Sequence, residues 1–243
     1  MHQGDCRMSY LKNKFSDNQV QLFIFLSISV IVLILTGILY LRDPAAYSGF
    51  FGKINPVLVV TCLIIIGYLL MRRFLSTTSL KVCSKAPRAR ILIIVILPIV
   101  LFAGMVWVDT MGVFPRDLNA AFPHSLLFYP SIAYVVEIIF HVLPLALCFF
   151  IITAVFKLRD HTIALFISIP LVALIEPVFQ IMNFGRDYPV WAIIYVGVNI
   201  LVINLAQLWL FVKYDFVSMY AFRLMYYLLW HIIWGVFRLQ WLW

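Results

Sequence analysis

The chain has 243 residues, 65% of them hydrophobic and 12% charged, against about 25% charged in a soluble domain. No water-soluble fold hides that much apolar surface. The apolar runs are long and lack two-residue alternation, which excludes an outer-membrane barrel and leaves an all-α, polytopic transmembrane helical bundle. The net charge of +8 does not point to nucleic acid, because the basic residues cluster in loops of the kind that stay cytoplasmic.

A polar segment, residues 1–19, precedes the first apolar run. That run, Val20 to Leu41, is long enough to span and starts too late for a cleavable signal peptide. The second span is predicted from Asn55 to Met71, ending at Arg72-Arg73, and the third from Ile91 to Val113 with Pro98 inside it. These three form an N-terminal membrane part, residues 20–113. Phe114-Pro115-Arg116-Asp117 then makes a turn-rich link to Pro123-His124.

The next apolar run, Ser125 to Phe156, is unusually long and contains Pro130 and Pro144. A single helix bent by proline is expected, with two short helices meeting at Pro144 as the alternative. The fifth span is expected over Thr162 to Met182, the sixth over Val190 to Val212 and the seventh over Phe216 to Leu239. The helices in residues 125–240 belong to the same single membrane domain, and no internal repeat is visible.

Charge sets the orientation. With the N-terminus in the cytoplasm, Arg7, Lys12, Lys14, Arg72, Arg73, Lys81, Lys85, Arg88, Arg90, Lys157, Arg159 and Lys213 fall on that side. Only Arg42, Lys53, Arg116, Arg186 and Arg238 fall on the other, which favours N-in, C-out. An integral protein of the plasma or inner membrane, in contact with lipid, is the expected setting. Cys62 and Cys148 fall in spans and Cys6 and Cys83 in basic segments. None has metal-ligand or redox spacing.

The chain has only two glutamates, and both lie inside spans. A carboxylate at that depth costs a few kcal/mol or more, so it marks a functional candidate. Tyr134, Glu137 and His141 share one stripe of the fourth helix; Glu176, Gln180 and Asn183 share one on the fifth. Arg223, Tyr227 and His231 do so on the seventh, and Asn204 and Gln207 are three apart on the sixth. Polar side chains in hydrocarbon need partners, so the four seams should face one another. At 1.5 Å per residue, the ionisable groups lie about 10–24 Å in from the outer boundary, with His141 deepest. Glu176 precedes Pro177, so the fifth helix should be distorted there.

Two carboxylates and two imidazoles suit water activation. Without metal, one glutamate acts as general base while histidine or Arg223 stabilises an oxyanion. With metal, His141, Glu176 and His231 are ligands of the kind zinc takes, leaving a position open for water. A purely structural reading uses the same residues: Glu137 and His141 as a satisfied internal pair, and Arg223 bound to Glu176 to fix packing. His2, His124 and His161 lie near ends or loops, and the tryptophans, Trp230, Trp234, Trp241 and Trp243 among them, suit an interfacial belt.

The C-terminal half resembles the CPBP family of intramembrane proteases, the CAAX-processing and bacteriocin-processing enzymes. The stretch Val136-Glu137-Ile138-Ile139-Phe140-His141 is similar to that family's E-E-x-x-F-R motif, with one glutamate and with histidine in the arginine's place. Val172-Ala173-Leu174-Ile175-Glu176 stands where the family has F-x-x-x-H, with glutamate for histidine. His231-Ile232-Ile233-Trp234-Gly235 keeps the third motif's histidine and has glycine where asparagine or aspartate follows four residues on. The resemblance implies an intramembrane endopeptidase acting on a membrane-associated peptide or protein near the membrane surface. Glu137, His141, Glu176 and His231 would be its catalytic groups, and Arg223, Tyr227, Tyr134, Gln180 and Asn204 would support them, with or without zinc. A proton- or ion-coupled transporter using the same residues, and a non-catalytic scaffold with a decayed site, are the competing expectations.

Overall fold

The computed structural model describes residues 17–78, 87–183 and 188–243. His2, Asp5, Cys6, Arg7, Lys12, Lys14, Lys81, Cys83, Lys85 and Arg186 lie outside the described residues. Among those described there is no strand, and seven helices are long and apolar enough to cross a membrane. We number them α1 (Asp17–Arg42), α2 (Pro56–Thr78), α3 (Pro87–Asp109), α4 (Ser125–Ala154), α5 (His161–Asn183), α6 (Val190–Lys213) and α7 (Phe216–Trp241). The chain is therefore an all-α, multi-pass helical bundle, and its apolar outer surface is suited to lipid contact.

The expected spans hold, with edges that shift for local reasons. Helix α2 runs seven residues past Met71, because Arg72 and Arg73 form helix well and carry their charge out of the hydrocarbon on long stems. Helix α3 starts at Pro87, a residue pre-set for a first turn, and stops at Asp109 ahead of Gly112, whose φ of +72° suits glycine. Asp160 caps α5 through the amides of Thr162 and Ile163, and Asp215 caps α7 through Ser218. Asp215 also holds Arg90 at 3.0 Å, joining the ends of α3 and α7.

Helix α4 is one helix and not two, but its irregularity is not a simple proline kink. Residues Glu137–Val142 form a π-helical segment. In the α register the Pro144 nitrogen would bond the Phe140 carbonyl, and it has no proton to give. The wider turn re-pairs the ladder so that the Leu143 amide reaches Ile138. A second π-helical segment, Leu228–Ile233, lies in α7 and contains His231. Helix α5 breaks at Leu174, close to the distortion expected at Glu176-Pro177, and resumes as Ile175–Asn183.

Packing divides the interior. Aromatic side chains of α1, α2, α4 and α7 interlock through Phe25, Phe74, Phe149 and Phe216, with Phe25 and Phe216 edge to face at 5.0 Å. A second cluster joins α3, α6 and α7 around Met105, Phe222 and Trp230. The C-terminal part of α5 rests on α6, where Ile181 enters the space left by Gly197; a Cβ there would lie 2.6 Å from the Ile181 side chain. These packings hold the four polar seams around one interior space.

Candidate functional site

Arg223 is the hub. Its Nε donates to Glu137 Oε1 at 2.7 Å, and its Nη1 and Nη2 grip Glu176 Oε1 and Oε2 at 3.1 and 2.9 Å. Nη2 also reaches Gln207 Oε1 at 2.8 Å and Asn204 Oδ1 at 3.4 Å, and Nη1 reaches the Tyr227 hydroxyl at 3.5 Å. Every N–H of the guanidinium is therefore engaged. The Gln207 amide turns its nitrogen back to Glu137 Oε1, closing a ring across α4, α6 and α7. All of these groups but the half-buried Tyr227 are buried, and paired charges are the condition on which such groups persist at membrane depth.

Local sequence explains how the ring is built. Pro177 cannot bond the Ala173 carbonyl four residues back, so that oxygen would be orphaned where α5 breaks. Asn204 Nδ2 donates to it at 3.1 Å while Asn204 Oδ1 faces Arg223. One asparagine thus repairs the proline's defect and fixes the arginine. On α4, the π-helical segment begins at Glu137 itself.

The convergence expected of two acids and two imidazoles is realised only in part. Glu137, Glu176, Arg223, Tyr227, Gln180 and Asn204 come together, with Gln180 Nε2 at 3.5 Å from Glu176 Oε1. His141 Nδ1 comes within 3.0 Å of Glu137 Oε2 but without the alignment a hydrogen bond needs, and its Nε2 has no partner. Tyr134 leaves the group altogether. Its hydroxyl pairs with Ser29 of α1 at 2.6 Å.

His231 is elsewhere. Its Nδ1 lies 2.7 Å from Asn119 Oδ1 in the link before α4, and its ring stacks on Tyr129 at 4.5 Å. The Tyr227 ring stands 4.8 Å from it on one side and 5.7 Å from the Arg223 guanidinium on the other. One tyrosine therefore separates the histidine from the acids. The trio His141, Glu176 and His231 is not gathered as ligands: among the described residues no three His, Cys, Asp or Glu side chains come close enough to hold a metal ion. A three-residue zinc set is corrected on that ground.

A cavity of about 820 Å³ joins the two polar groups. Glu176, Gln180, Arg223, Tyr227 and His231 lie on its wall, and Phe50, Phe114 and Tyr188 mark its reach towards the C-terminal ends of α1 and α3 and the N-terminal end of α6. Glu137 and His141 do not line it and are fully buried behind Arg223. Glu176 Oε1 accepts from both Arg223 and Gln180, but Oε2 accepts only from Arg223 and keeps a lone pair. Since Asn119 Oδ1 can only accept, it places the His231 proton on Nδ1 and leaves Nε2 as an acceptor.

Sequence reasoning missed Asn119 and the clamp beside it. Arg238 Nε and Nη2 bind Asp109 at 2.7 and 2.8 Å, and Trp234 Nε1 donates to the same carboxylate at 2.6 Å. The other Arg238 protons go to the carbonyls of Phe114, Pro115 and Arg116. This knot pins residues 114–116 to α7 and so sets Asn119 over His231. Gly235 leaves the room, since a Cβ there would lie 3.1 Å from Asn119 Nδ2. The one available signal was the burial cost of Asp109 near the end of an apolar run.

No family model, no curated protein and no solved structure matches this chain.

Proposed function

We propose that the chain is an intramembrane peptidase resembling the CPBP enzymes, hydrolysing a peptide bond of a membrane-associated substrate inside the cavity. One observation carries the reading: Glu176 with an uncommitted lone pair, Tyr227 and His231 stand on the wall of one space large enough for a peptide segment. Glu176 Oε2 accepts a proton from water, and the hydroxide oxygen bonds to the carbonyl carbon. The displaced electron pair on oxygen is met by the Tyr227 hydroxyl, whose own proton is not committed elsewhere. On collapse the C–N bond breaks, Glu176 returns its proton to the leaving nitrogen, and His231 Nε2, oriented by Asn119, accepts the proton of the new carboxylic acid.

The base role given to Glu137 by the motif passes to Glu176, because Glu137 is sealed behind Arg223. Glu137 is then a positioning residue that holds the guanidinium. Asn119 supports the resemblance in a further way: Gly235 vacates the place of the third motif's asparagine or aspartate, and the link before α4 supplies an asparagine amide to His231.

The test compares membranes carrying the wild type with membranes carrying Glu176→Gln or His231→Gln, in water enriched in ¹⁸O. New peptide C-termini bearing ¹⁸O should appear with the wild type and fall about 10²–10⁴-fold in either variant. Equal termini in all three reject the reading. A transporter is the second reading, favoured by one specific feature: α4, α5 and α7 are all irregular beside the site, as helices around a transported substrate often are.

A further inference from the structure

The cavity wall is unbalanced in hydrogen bonding. Two carboxylates, Glu137 and Glu176, share one guanidinium, and none of its N–H groups is left over for a ligand. His141 lies off the cavity. Its Nδ1 lies 3.0 Å from Glu137 Oε2, so it attends Glu137 and not Glu176. Glu176, which is 3% exposed, is the carboxylate that reaches the cavity.

Aromatic rings share the cavity wall with Glu176. Tyr129, Phe179, Tyr226, Tyr227 and Trp230 all contribute to the lining. Ring faces carry partial negative charge and attract cations, most strongly when both are desolvated. The acceptors left open on the wall, Glu176 Oε2 and His231 Nε2, favour a donor or a positive charge over an anion. The volume of about 820 Å³ matches sites that take drug-sized molecules. We propose that this cavity binds a lipophilic organic cation, a positive charge carried on an apolar body, with the charge beside Glu176 and aromatic rings around it.

The proposal goes beyond hydrolysis and does not need it, since binding is measurable in a protein that turns nothing over. Purified full-length protein in detergent is immobilised and titrated with radiolabelled tetraphenylphosphonium, with tetraphenylborate as the anion of the same shape. The expected result is saturable binding displaced by unlabelled tetraphenylphosphonium and not by tetraphenylborate. Glu176→Gln should weaken it at least ten-fold. Phe179→Leu removes a half-exposed ring without touching the ion network and should weaken it about three- to ten-fold.

Folded wild type without saturable binding overturns the proposal. So does binding that Glu176→Gln retains, or that tetraphenylborate displaces equally well. Should Glu176→Gln not fold, Phe179→Leu and the borate competition decide: undiminished binding in the one or charge-blind displacement in the other rejects it. Cation binding intact in a protein that yields no ¹⁸O-labelled termini sinks the peptidase reading alone, and hydrolysis without cation binding sinks this one alone.

Discussion

Replacing Arg223 with leucine removes the one cation that two buried carboxylates share. Six hydrogen bonds leave with it, to Glu137, Glu176 twice, Gln207, Asn204 and Tyr227. Glu137 is fully buried and cannot recover water in place of the guanidinium, and Glu176, 3% exposed, recovers little. Removing one partner of a buried ion pair costs about 3–5 kcal/mol, mainly through the charge left uncompensated. Replacing the whole set by neutral groups of similar volume costs far less. Arg223→Leu should therefore destabilise the fold by about 3–5 kcal/mol, and the triple variant Arg223→Leu, Glu137→Gln, Glu176→Gln should regain at least half of that. Unfolding by sodium dodecyl sulfate in mixed micelles, followed by tryptophan fluorescence, measures both. A single variant within about 1 kcal/mol of wild type, or a triple variant less stable than the single, refutes the claim that the shared charge organises the bundle interior.

Asn204→Leu should cost about 1–3 kcal/mol, because the Ala173 carbonyl and an Arg223 N–H both lose a partner. The cost should shrink in a Pro177→Ala background, where residue 177 regains a proton for that carbonyl; a double-mutant cycle showing no coupling between the two positions contradicts the repair described above. Gly104→Ala should cost about 1–3 kcal/mol, because its Cβ would lie 1.9 Å from the Tyr195 hydroxyl. Tyr195→Phe should recover most of that loss in the same micelle assay, since the ring carbon behind the hydroxyl sits at 3.2 Å.

How far the site could be read from the chain depended on what each residue's partner was. Glu137, Glu176 and Arg223 announced themselves because a charge in a long apolar run has few outlets other than another such charge. With one cation and two acids in neighbouring seams, the pairing was nearly forced. Gln180, Asn204 and Tyr227 followed, since regular helical spacing puts them on the same faces. His231 did not follow. Regular spacing gives a face but not the identity of what approaches it, and what approaches is Asn119, from a link with no periodicity to read. Tyr134 did not follow either: the hydroxyl found its partner on α1, at Ser29, and helical spacing says nothing of what a neighbouring helix offers. The cavity was the least legible feature. It lies where α5 breaks and rests its C-terminal part on α6 at Gly197. Pro177 marked the break but not where the segment after it would come to rest, and that placement decides that Glu176, and not the motif's glutamate at 137, meets whatever enters.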